Sequence, residues 1–185
     1  MKYKLLPFLL LIHCTAFSQI AFSASAQHIF AGSPHQYGGI SDGNGGELTV
    51  DLHLKKTFFF GLGADAIKFD KLNNLYVPVF LDLKYAIPGK FSPFIVLQPG
   101  YGIFNGPQVE LTDFNGNMVG TMNEKGGIYF AGGAGNWFSI TKKVNLLIAF
   151  KYHLFKTSFD MPESLGADIS NTKGAFSFSA GITIW

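Results

Sequence analysis

From residue 47 to residue 185 the chain repeats one pattern: apolar side chains at every second position in segments of about 8–14 residues, punctuated by Gly, Pro, Asn and Lys. Successive side chains of a strand point to opposite sides, so a period of two specifies strands with one apolar side each and excludes a helical fold. Seven strands are read directly: Glu47 to Leu54, Thr57 to Phe69, Leu75 to Ile87, Phe91 to Phe104, Gly127 to Ile140, Val144 to Phe155 and Lys173 to Trp185. A weaker eighth is expected before these, within Gln27 to Ile40. No apolar run after the leader approaches the ~18 residues that mark a membrane-spanning helix.

The connections alternate in length. Lys55-Lys56, Pro88-Gly89-Lys90 and Thr141-Lys142-Lys143 are tight turns, whereas Ser41 to Gly46, Asp70 to Asn74, Asn105 to Gly126 and Lys156 to Thr172 are longer. In an up-and-down meander successive connections fall on opposite ends, so the short turns share one end and the long loops the other, as in a transmembrane barrel. Within the third long loop, Asn115-Gly116 is a strong hairpin signal, and Val109 to Met122 is expected to form a β-arm of its own. Pro78, Pro93 and Pro99 fall inside strands and donate no ladder hydrogen bond, which predicts bulges or breaks.

Alternation alone fits a soluble barrel with an apolar inside or a membrane barrel with an apolar outside. The chemistry of the two faces decides. One parity reads Leu48-Val50-Leu52-Leu54, Phe58-Phe60-Leu62-Ala64-Ala66, Leu75-Val77-Val79-Leu81-Leu83, and so on through Phe176-Phe178-Ala180-Ile182-Ile184, with no charge among these positions. The opposite parity carries Asp51, Asp65, Asp82, Lys84 and Lys151 among phenylalanines and glycines. That is far short of the ~25–35% charge of a surface in water, and it matches a packed lumen. The whole chain is only 14% charged and 48% hydrophobic. The reading is therefore all-β: an eight-stranded antiparallel up-and-down transmembrane β-barrel. Tyr85, Tyr101, Tyr129, Trp137 and Tyr152 are read near strand ends on the lipid face, as an aromatic girdle.

The first residues are an export leader. Lys2 and Lys4 precede an apolar run from Leu5 to Ile12 and then small residues, the three-part form of a signal peptide for general secretion. Cleavage fits after Ser18 or after Ala26, and the leader is set at 1–26 with the barrel at 27–185. Cys14, the one cysteine, falls in the leader behind His13, where a lipid-anchor motif wants a small residue; the barrel itself is left without a thiol. All fourteen basic residues are lysines against twelve acids, so losing Lys2 and Lys4 leaves the barrel with balanced charge.

Asn74-Leu75-Tyr76-Val77-Pro78-Val79-Phe80-Leu81-Asp82-Leu83-Lys84-Tyr85, together with Ser92-Pro93-Phe94 to Gly100-Tyr101-Gly102, resembles the central strands of small Gram-negative outer-membrane barrels of the OmpA/OmpX-like class. The resemblance spans most of the exported chain. It implies an outer-membrane location with both termini periplasmic, contact with outer-membrane lipid, and insertion by the barrel-assembly machinery. The last strand departs from that class: Trp185 is odd-numbered, while its apolar neighbours Ile182 and Ile184 are even.

Eight strands leave a lumen that side chains fill. Asp51, His53, Asp65, Asp82, Lys84, Lys151 and His153 are expected to share it as an ion-pair network. No catalytic, metal, cofactor or nucleic-acid site is assigned. The expected function is non-enzymatic: structural, adhesive or accessory to a surface complex, with loop 105–126 as the contact for an extracellular partner. Two alternatives carry different chemistry, a soluble periplasmic lipocalin-like carrier and a lipid-A-modifying enzyme. For the enzyme, His28 and His35 flank Ser33 with no carboxylate in that window, and the distal acids Asp160, Glu163 and Asp168 have no histidine beside them.

Overall fold

A computed structural model describes residues 19–31, 41–55, 57–70, 75–105, 109–112, 118–160 and 169–185. Its strands are β1 (Gln19–Ala31), β2 (Gly43–Lys55), β3 (Phe58–Phe69), β4 (Leu75–Ala86), β5 (Phe91–Asn105), β6 (Val109–Thr112), β7 (Met118–Lys125), β8 (Gly127–Ser139), β9 (Val144–Asp160) and β10 (Ile169–Ile184). All but β6 and β7 form the wall of a closed antiparallel barrel of eight strands. Closure comes from β1 and β10, paired from Phe22 opposite Ile184 to Ala31 opposite Ala175. A closed wall leaves no strand edge, so the backbone meets its own hydrogen-bonding demand in hydrocarbon.

The short turns gather at one end and the long connections at the other. Thr141 shapes one short turn: its hydroxyl accepts from the backbone N–H groups of Lys143 at 3.2 Å and Val144 at 3.0 Å. At another, Ser92 Oγ donates to the Gly89 carbonyl at 2.9 Å. At the far end β6 and β7 make the arm expected in the third long loop, with Val109 opposite Met122 and a register shift between Leu111 and Thr112. Its Asn115-Gly116 turn lies outside the described residues. β7 then runs beside the raised end of β9, Asn123 opposite Asp160 and Lys125 opposite Ser158.

The first strand differs from the expectation. It begins at Gln19 and precedes most of the 27–40 window, so the boundary drawn between 26 and 27 falls inside a paired strand. Ala26 sits between Ala180 and Gly46, and Gln27 between Ser179 and Gly45. The reason is compositional. Ser23, Ala24, Ser25 and Ala26 are small and alternate weakly, and such residues also make a leader's cleavage region. Residues 1–18, with Cys14, lie outside the described residues, as do Ser33 and His35.

The prolines act by local breaks without bulges. Between β3 and β4 the pairing stops at Ala64 with Val79 and resumes at Ile67 with Tyr76, in unchanged register across Pro78. Between β4 and β5 it stops at Phe80 with Gly100 and resumes at Leu83 with Leu97, across Pro99. Pro93 sits opposite Asn136 in an unbroken ladder.

Candidate functional site in the lumen

The strands place three layers of side chains inside the barrel. Towards the long loops, Ile29, Ile67, Phe69, Tyr76, Phe80, Tyr129 and Phe155 form an apolar layer. Towards the short turns, Phe59, Phe94, Trp137 and Leu147 form a second, with Trp185 against it. Glycine makes room for the rings: a side chain on Gly102 would collide with the Tyr76 hydroxyl, and one on Gly63 with the Phe80 ring. Between the layers lies a polar belt.

Lys84 is the hub of one half of the belt. Only 4% exposed, its Nζ donates to Asp51 Oδ2 at 2.7 Å and also to Asp82. The same ammonium lies 6.0 Å from the Trp137 ring, which adds a weak cation–π attraction. Lys151 anchors the other half by pairing with Glu47. Gln98 joins the halves, its Nε2 donating to Asp82 at 3.3 Å and to Glu47 at 3.4 Å, while its Oε1 accepts from Lys151 at 3.3 Å. Asp65 stands beside this network, held by the Gln27 amide. His153 bonds Tyr129 OH through Nδ1 at 2.8 Å and Ser177 Oγ through Nε2 at 2.7 Å. His53 lies lower, stacked on Phe59 with centroids 4.3 Å apart. Buried ions are tolerated only when paired and hydrogen-bonded, and the belt meets that condition for both lysines.

Asp51, Asp65, Asp82, Lys84, Lys151 and His153 thus share the lumen, with His53 at its short-turn end. The sequence reading missed Glu47, Gln98 and Gln27. Glu47 was legible, because it shares the inward parity of Thr49 and Asp51. Gln98 carries no charge to mark it, and Gln27 fell at the assigned leader boundary.

The aromatic girdle needs correction. Tyr85, Tyr101 and Tyr152 do face outward, 51%, 57% and 40% exposed, but Tyr129 and Trp137 are 0% and 2% exposed and point into the lumen. Strand pairing fixes their side. Ala131 sits opposite His153 and Gly133 opposite Lys151, and directly opposed residues share a face. The odd parity of β8 is therefore inward, and Ile128 and Phe130 take the lipid side. Rings on both parities of β8 hid this, since neither face carries a charge. Trp137 uses its inward position by donating from Nε1 to Thr183 Oγ1 at 3.0 Å.

The outer wall shows Leu48, Leu62, Leu81, Ile95, Phe150 and Ile182 exposed, an apolar surface fit for acyl chains. No protein-family model matches the sequence. No curated protein matches it either. Among solved structures the chain is similar to neisserial surface protein A, with 14% identity, a TM-score of 0.62, and 89% of this chain and 96% of that one covered. It is also similar to the outer membrane protein OprG from Pseudomonas aeruginosa (16% identity, TM-score 0.55, 89% and 94% covered). The E. coli outer membrane protein W gives 16% identity and a TM-score of 0.53, with 89% and 96% covered. The shared property is the fold, that of a small outer-membrane β-barrel of eight strands.

Proposed function

We propose that this chain is a closed, non-enzymatic barrel of the outer membrane that passes no solute through its lumen and acts through its long-loop end, as an adhesive element or as an accessory of a surface complex. The observation that carries the reading is the filling of the lumen. Two apolar layers enclose the ion-paired belt, and the void beside Glu47, Lys84 and Lys151 is about 10 Å³, room for one water. On this reading the short turns and both termini are periplasmic, the barrel-assembly machinery inserts the chain, and the β6–β7 arm within 105–126 is the surface contact. The Ser177–His153 pair has the atoms of a hydrolytic couple, but both residues are fully buried, and a substrate has no route to them.

Planar-bilayer recording of the purified barrel tests the closed lumen. The expected trace shows no unitary steps above the bare-bilayer background. Reproducible steps that a Gln98→Ala variant enlarges would refute it. Deleting 109–122 should leave the barrel folded, read by altered mobility of unboiled protein on a gel, while cell-surface attachment is lost. Unchanged attachment would move the function off the arm.

A further inference from the structure

The two ends of the barrel differ in charge. The residues that build the short-turn end, 19–22, 53–59, 86–93, 138–146 and 182–185, hold five lysines, Lys55, Lys56, Lys90, Lys142 and Lys143, and no acidic side chain. Of the twelve acids, Glu47, Asp51, Asp65 and Asp82 face the lumen, and the rest belong to the long connections or to the strand ends beside them.

Lys90, Lys142 and Lys143 are exposed and stand on neighbouring turns. Pairing of β5 with β8 sets Phe91 opposite Phe138, and the Ser139 N–H donates to the Lys90 carbonyl at 3.3 Å, so the two turns form one arc of the rim. Unlike the lysines of the belt, none of the three has an ion-pair partner among the described residues. An α-carboxylate on Trp185, whose N–H donates to the Lys143 carbonyl at 2.9 Å, offsets one charge of the five.

On the outer wall beside these lysines, Ile87, Phe91 and Ile140 are 60%, 67% and 63% exposed, and Phe91 meets Phe138 edge-on at 5.5 Å. Apolar surface therefore adjoins ammonium groups, as acyl chain adjoins phosphate in a phospholipid. A lysine stem lies along apolar surface while its ammonium stays at the level of the headgroups. Clustered lysines at a bilayer surface attract anionic headgroups, whereas a zwitterionic headgroup carries its own cation and cancels most of that attraction.

We infer that the rim around Lys90, Lys142 and Lys143 binds anionic glycerophospholipid in preference to zwitterionic lipid, its chains against Ile87, Phe91 and Ile140 and its phosphate among the lysines. On the orientation proposed above this leaflet is the periplasmic one. The preference itself requires only that the barrel cross a bilayer.

Electron spin resonance of chain-labelled lipids measures it. The barrel isolated from membranes is reconstituted in phosphatidylcholine bilayers with spin-labelled phosphatidylglycerol or spin-labelled phosphatidylcholine, whose motionally restricted fraction counts lipid at the protein wall. Phosphatidylglycerol should be favoured about threefold at low salt, an average over one selective and one indifferent leaflet, and molar salt should abolish the preference. Lys90→Gln/Lys142→Gln/Lys143→Gln, in exposed turns, should bring the two lipids to parity, with folding checked by the mobility of unboiled protein. Arginine at the same three positions should keep the preference, and so should Lys68→Gln at the long-loop end of β3. Equal restriction of the two lipids in the unaltered barrel, a preference that the triple glutamine variant retains, or one that Lys68→Gln removes would overturn the inference. So would loss of the preference to inorganic phosphate at constant ionic strength, which marks a site for a free anion.

Discussion

Lys84→Met gives the sharpest test of the belt. The substitution keeps most of the side chain's length and volume but removes the ammonium that Asp51 and Asp82 share. At 2.7 Å and an effective dielectric near 20, one such contact amounts to about 6 kcal/mol of Coulomb attraction, much of it offset by desolvation of both ions. Removing one partner alone leaves that desolvation uncompensated. Asp51 and Asp82 are 1% and 0% exposed, so neither carboxylate can turn to water. The expected loss is about 3–5 kcal/mol. Urea unfolding of protein refolded in lipid vesicles measures it, followed by tryptophan emission and by the gel mobility of unboiled samples. Adding Asp51→Asn and Asp82→Asn to Lys84→Met should recover most of the loss, because replacing a whole buried ion set by neutral groups is often close to neutral. A single variant that loses under ~1 kcal/mol, or a triple variant no more stable than the single, would refute the network as the element that organises the lumen.

Further expectations follow from the outer wall, the upper layer and the first strand. Leu81→Lys, on the outer face at mid-strand in β4, should cost about 2–4 kcal/mol on the same urea assay and block membrane assembly, whereas Phe91→Lys at a strand end should cost ~0–1 kcal/mol. Equal losses would contradict a lipid-facing belt. Gly102→Val drives a methyl into Tyr76 and should destabilise by about 1–3 kcal/mol, seen as a lower urea midpoint. Tyr76→Phe runs the other way: its buried hydroxyl has no hydrogen-bond partner among the described residues, so its removal should raise the midpoint by the equivalent of about 1 kcal/mol. Intact mass of protein from membranes should place the mature start at Gln19, since cleavage after Ala26 would remove a strand segment paired with both β2 and β10.

Strands β3, β4 and β5 were legible because long aliphatic residues alternate there with Asp, Gly and aromatic partners, a contrast that fixes both period and side. β1 was not, because Ser and Ala give the period too little amplitude. β8 showed the period but not the side: glycines and rings occupy both parities, and only pairing with Lys151 and His153 settles it. The membership of the belt could largely be listed from inward charges. Who contacts whom could not, because Lys151 meets Glu47 across the lumen from strands far apart in the chain. Such contacts depend on strand tilt and stagger, which no local pattern encodes.

The two breaks at Pro78 and Pro99 flank the same strand, β4, so its wall loosens on both sides near mid-height. The residues facing inward at those gaps are Asp65 with Pro78 on one side, and Asp82 with Gln98 on the other. Where the β4–β5 backbone lets go, the Gln98 amide reaches Asp82 at 3.3 Å and spans the gap from within. The lumen side chains therefore act as cross-ties for a seam in the wall, and part of the polar belt stands behind an interrupted stretch of ladder. Amide hydrogen exchange should find that seam first, and loss of Gln98 should widen it.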